Sequence, residues 1–135
     1  MNPLLQNLLV GLSCILLLQF EAGCAFNVWH VKQVPAAFTP VNDSPSFRLA
    51  KETKVHPGGG FATVLKADTT WNQVGVTGQG KVYTTKDQVV KVEASNIYEA
   101  YLVLSNSCLT GFYLPVEKTV VPLSSPLPLD IQIEQ

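Results

Sequence analysis

No lysine or arginine precedes Lys32, and beyond it the basic and acidic side chains are scattered, the densest cluster being the mixed Lys51-Glu52-Thr53-Lys54. A nucleic-acid binder presents a basic face or stripe. None is visible, which excludes nucleic acid as a partner. Histidine is nearly absent too: His30 and His56 lie far apart, with no zinc-ligand spacing around them, so no metal or cofactor is expected. Cysteine is equally sparse. Cys14 and Cys24 fall in the first 25 residues, Cys108 stands alone after them, and no disulfide framework is available. A Cys24–Cys108 bridge stays open if Cys24 is retained unmodified. Sequence also leaves open a Cys108 pair with His30 or His56, since such partners meet only in the fold. Cys108 nevertheless follows a turn signal rather than a helix start that would activate a thiolate, and it reads as a small core hydrophobe. Glu93, Glu99 and Glu117 alternate with apolar neighbours, as solvated strand positions do, rather than forming a paired acid and base. No enzyme is expected.

What the chain has in abundance is apolar sequence at its start. Positions 8–20 are almost wholly apolar and are followed by Ala22-Gly23-Cys24-Ala25. Such a run is short for the ~30 Å hydrocarbon core of a bilayer. It has the length of a secretory h-region with small residues at its end, so residues 1–25 read as a signal peptide. Gly23 and Ala25 suit ordinary cleavage after Ala25. Ala22-Gly23-Cys24 also resembles the lipobox of bacterial lipoproteins, which implies cleavage before Cys24 and a lipid on its thiol. By that resemblance, Ala25 after the lipidated cysteine directs the product to the outer membrane, anchored on the periplasmic side. Glu21 stands where lipoboxes carry Leu or Val, so plain cleavage and an uncleaved anchor remain alternatives.

About 110 residues remain after processing, enough for one modest core. Loss of Glu21 leaves nine basic and nine acidic residues and no net charge. Residues 26–60 carry Pro35, Pro40, Pro45 and Pro57 and show no period, which predicts a Pro-rich irregular tether, either a linker or a strap lying across the domain. One short strand is expected at Phe26-Asn27-Val28-Trp29-His30-Val31, and a flexible boundary at His56-Pro57-Gly58-Gly59-Gly60. From residue 61 to 135 the texture changes to short strands and turns. Strands are expected at 62–67, 71–76, 81–84, 88–93, 97–104, 109–114 and 116–121. Ser105-Asn106-Ser107 marks a hairpin, and Leu129, Ile131 and Ile133 alternate with polar residues as in a half-buried strand. No segment has a convincing helical period. The expected fold is all-β, a small sandwich or barrel behind the leader and tether.

Gly75-Val76-Thr77-Gly78-Gln79-Gly80-Lys81 has the spacing of a phosphate-binding loop, but Val82 stands where Ser or Thr must hold magnesium. Val82-Tyr83-Thr84-Thr85 is strand-like rather than a helix start. The stretch reads as a hairpin turn in which Gly78 and Gly80 supply positive φ, and no nucleotide is expected there.

Aromatic residues carry the remaining argument. In 97–104 and 109–114 both strand parities are largely apolar, a pattern of sandwich-central strands or of strands that cover a partner. Tyr98, Tyr101, Phe112 and Tyr113 are the candidate interaction face, with Pro115 suggesting an edge. In layout — Ala22-Gly23-Cys24, a Pro-rich tether, a small β domain — the chain resembles accessory lipoproteins of bacterial envelope machines of the conjugative-transfer or type IV secretion class. That resemblance implies a non-catalytic accessory or structural subunit with protein partners in the cell envelope and membrane attachment through an N-terminal lipid at Cys24. The alternative is a small periplasmic or secreted binding module, such as an inhibitor or ligand-binding barrel.

Overall fold

A computed structural model describes residues 30–134, and every regular element within them is a strand. The leader, Cys14, Cys24 and most of the strand expected at 26–31 lie outside the described residues; His30 and Val31, which are described, are not in a strand. The strands are β1 (Val34–Pro35), β2 (Thr39–Pro40), β3 (Ser46–Leu49), β4 (Thr53–Val55), β5 (Thr63–Leu65), β6 (Thr69–Thr77) and β7 (Gly80–Thr84). They continue as β8 (Lys91–Glu93), β9 (Ile97–Glu99), β10 (Tyr101–Ser105), β11 (Cys108–Leu114), β12 (Thr119–Pro128) and β13 (Ile131–Glu134). Nine form one antiparallel sheet in the order β1-β12-β11-β10-β7-β6-β3-β13, with β2 also on β6. β4–β5 and β8–β9 are separate hairpins. The sheet ends at β1 and β13 without closing, so the fold is sandwich-like rather than a barrel.

The hairpin expected at Ser105-Asn106-Ser107 forms, with Ser105 opposite Cys108 and a two-residue loop between them. Asn106 and Ser107 have φ of 50° and 64°. Two successive left-handed residues give the turn whose twist matches that of the flanking strands. The apolar run 97–104 is divided at Ala100, whose N–H bonds the Val90 carbonyl at 3.0 Å. β9 before it pairs with β8, and β10 after it joins the main sheet.

Strand alternation sorts the central apolar residues into two cores. Tyr83, Leu102, Leu104, Phe112, Leu114 and Val121 face a large core that also takes Phe47 and Leu49 of β3, Val55 and Leu65 of β4–β5, and Val92 of β8. Val82, Val103, Tyr113 and Val120, with Tyr101 at their margin, face a smaller core covered by Ala36, Phe38 and Val74. Both faces of β10 and β11 are therefore largely buried, which is why neither parity of these strands is polar.

Residues 31–60 do not stand apart from the domain expected at 61–135. Phe47 and Leu49 are buried in the large core, and β3 pairs with both β6 and β13. β4 and β5 form a hairpin across the boundary expected at 56–60, with Val55 opposite Thr63. The stretch is a strap rather than a linker, laid on the sheet through β1 on β12 and β2 on β6. Proline is compatible with this because β1 and β2 each pair on one side only, where a missing N–H breaks no central ladder. Phe47 and Leu49 sit two apart, so one face of a four-residue strand buries both, worth about 1.5–3 kcal/mol each.

β6 changes partners along one edge. Thr69 to Trp71 pair with β3, Gly75 and Val76 pair with β2, and a bulge between Gln73 and Gly75 separates the two stretches. Trp71 is buried at the first stretch; its indole N–H donates to Thr69 Oγ1 at 2.8 Å, and that hydroxyl donates to the Lys66 carbonyl at 2.8 Å. The buried ring thus leaves no unpaired donor.

Candidate binding cleft

An open cleft of about 390 Å³ is bounded by β3 and β13 on one side and by β6, β7 and the β10–β11 turn on the other. Phe47, Tyr83 and Leu104 extend the large core into it, and Phe47 meets the Tyr83 ring edge-on at a centroid distance of 4.9 Å. Ile131 and Ile133, on one face of β13, line the opposite wall, with Val76 across from them at the end of β6. Ile133 is 70% exposed. Polar groups enter at the rim: Gln73, Ser46, and the turn residues Ser105, Asn106 and Ser107.

Lys81 is the one charged side chain lining the cleft, and no described carboxylate pairs with it. Burial pushes the Tyr83 phenol above its ordinary pKa. The cleft therefore combines an apolar floor, hydroxyl and amide groups at the rim, and a single positive charge. Such a surface can bind.

Lys81 belongs to the phosphate-loop-like stretch. That stretch is the end of β6, a two-residue loop at Gly78-Gln79, and the start of β7, so the loop opens a strand and not a helix. Thr77 and Gly80 pair across it, and the Thr77 hydroxyl donates to the Gly80 carbonyl at 3.3 Å. Of the two glycines expected to need positive φ, Gly80 has it, at 150°, and Gly78 does not. At Gly80 a side chain would run into the Leu104 carbonyl, so close strand approach adds to the requirement for glycine.

The aromatic quartet is not one exposed face. Phe112 is fully buried in the large core and Tyr113 is 4% exposed in the small one. These are neighbours on one strand and must point to opposite sides. Tyr98 is half-buried against the large core, and Tyr101 lies half-buried at the small one, its ring tilted over Tyr113 at 6.4 Å. Pro115 lies in the turn between β11 and β12, and β11 is paired on both sides, so no edge exists there. Cys108 is half-buried at the start of β11 rather than in the core. Glu93 and Glu99 are exposed on β8 and β9, and Glu117 is in the β11–β12 turn. Among the described residues no group of three His, Cys, Asp or Glu is placed to hold a metal ion.

Sequence reasoning missed the cleft itself. The alternation of Ile131 and Ile133 was visible, but not that Phe47, from the Pro-rich stretch, lies opposite Ile133 across the strand pair. No protein-family model, no curated protein and no solved structure matches this chain.

Proposed function

We propose that this chain is a non-catalytic accessory subunit of a bacterial cell-envelope assembly, exported by its leader, held at the outer membrane by a lipid on Cys24, and acting by binding a protein partner through the cleft beside β13. The observation that carries the reading is the lining of that cleft: apolar walls, one cation, no carboxylate, and an exposed Ile133 at its mouth. Phe47 and Leu104 are buried in the large core with Tyr83 packed against them, so a partner meets a preformed floor. The leader ending in Ala22-Gly23-Cys24, followed by a small β domain, keeps the resemblance to accessory lipoproteins of conjugative-transfer and type IV secretion machines and supports the envelope setting, although residues 31–60 belong to the domain and are not a tether. A photo-crosslinking residue at position 133, with position 89 as control, tests the reading in cells. Val89 is 74% exposed and does not line the cleft. An envelope adduct at 133 but not at 89 is expected; equal labelling at both, or none at 133, overturns it.

A second reading, a periplasmic or secreted module for a small ligand, draws on the cleft volume, which lies within the range of small-molecule pockets. Mass spectrometry of the purified protein after denaturation separates the two, because a resident small molecule is expected only under the second.

A further inference from the structure

The two ends of the main sheet are unlike. β1 is two residues long and carries Pro35, which blunts it as an edge. β13 is four residues, Ile131-Gln132-Ile133-Glu134, with neither Lys nor Pro, and among the described residues it pairs with β3 alone. Among the described residues no strand pairs with its second edge, where the N–H and C=O of Ile131 and Ile133 point. Immediately before it, the Leu129 N–H bonds the Ser107 carbonyl at 3.2 Å, tying the chain to the β10–β11 turn. After that tie β13 diverges, and the cleft opens between it and the turn.

We infer that the cleft takes an extended segment of a partner protein, added as a strand to the open edge of β13 and carrying an acidic side chain that pairs with Lys81. The inference rests on the proposed partner-binding role and specifies the chemistry of what is bound. In an antiparallel pair, residues opposite Ile131 and Ile133 point to the same side as those isoleucines, which here is the cleft. Main-chain bonds to β13 supply affinity over about 13 Å of strand, and the alternate side chains supply selectivity. The lone cation decides between occupants. A second copy adding its own β13 would bring Ile131 and Ile133 to the cleft face, because Gln132 and Glu134 point to the other side of the strand. Lys81 would then gain no counter-charge. A partner segment alternating apolar residues with one Asp or Glu satisfies both features.

The test uses the full chain in detergent and the blocked peptide Thr-Val-Thr-Glu-Thr-Val-Thr, whose Val, Glu and Val share one strand face. Binding below about 1 mM is expected, with new hydrogen-exchange protection at the Ile131 and Ile133 amides, which face away from β3 because Gln132 and Glu134 are the residues turned toward it. Replacing the peptide's Glu by Lys should weaken binding by about tenfold or more, and Lys81→Glu should restore the Lys peptide while rejecting the Glu peptide. N-methylation of the peptide backbone on its pairing edge should abolish binding. Binding indifferent to both the charge swap and N-methylation overturns the inference, as does absence of binding at about 1 mM. A concentration-dependent dimer abolished by Ile133→Glu also overturns it and assigns the edge to a second copy. If the peptide fails while the position-133 crosslink to an envelope protein still forms, the binding role survives and only the strand-addition chemistry falls.

Discussion

The ring of Phe38 stacks on that of Tyr113, with centroids 5.0 Å apart and planes 14° apart. The strap holds to the sheet through this contact, and Gly75 permits it: a Cβ at Gly75 would sit inside the Phe38 ring and 2.8 Å from the Thr39 carbonyl. Gly75→Ala therefore has to displace the strap. Overpacking of this kind costs about 1–3 kcal/mol. The melting temperature should fall, and the Val41 and Ala36 amides, bonded to Val74 and Lys118 carbonyls, should lose hydrogen-exchange protection. Protection of the Ala100 amide, bonded to Val90, should persist. An unchanged melting temperature would show that Phe38 does not pin the strap.

Phe112 and Tyr98 differ in burial and should differ in cost. Phe112→Ala empties a fully buried site among Leu102, Leu114 and Val121, and should destabilise by about 3–5 kcal/mol. Tyr98→Ala removes a half-buried ring on the β8–β9 hairpin and should cost about 1–2 kcal/mol. Denaturant midpoints of the two variants measure the contrast. Wild-type stability in Phe112→Ala would contradict its place in the core.

Alkaline pH should weaken the fold through two phenols. Burial raises the pKa of Tyr83 above 10.0, and burial, then the charge of Glu99, then that of Tyr113 raise the pKa of Tyr101. Below the unfolded value both states are protonated and nothing is lost. Above it the unfolded chain ionises first, the folded state binds more protons, and stability falls as pH climbs through the folded values. Unfolding midpoints measured from about pH 9 to 11 should decline less steeply for Tyr83→Phe than for the wild type. Parallel declines would remove Tyr83 from the account.

The proposed lipid attachment at Cys24 rests on Ala22-Gly23-Cys24 after the apolar run. Cys24→Ser, expressed in a Gram-negative host, should lose labelling by a fatty-acid probe and move to the soluble periplasmic fraction. Multiple acyl chains hold a protein far more firmly than the marginal grip of one, so the change in fractionation should be nearly complete. Labelling that survives the substitution rejects Cys24 as the site.

Much of the fold was legible because it is written locally. The alternation of Ile131 and Ile133, the β-branched and aromatic runs of β10 and β11, and Asn106-Ser107 in the turn between them are properties of a few adjacent residues. Backbone sterics and strand geometry act on them before any distant contact forms. The Pro-rich stretch misled for the same reason. Proline reports what its own residue cannot do, whereas Phe47 and Leu49 are buried by β6 and β13, far along the chain.

By itself, then, the sequence determined an all-β chain with both parities of its central strands apolar, a tight turn at 106–107, and charges too scattered for a basic face. Only the tertiary structure decided that Tyr98, Tyr101, Phe112 and Tyr113 are divided between two cores, and that among the described residues β13, and not the Pro115 region, lies at an end of the sheet. It also decided that Lys81 stands in a cleft with Phe47 and Ile133. Alternation states that two faces of a strand differ or agree. What covers each face, and where the sheet stops pairing, depends on contacts between residues remote in sequence, whose closure a local pattern does not encode.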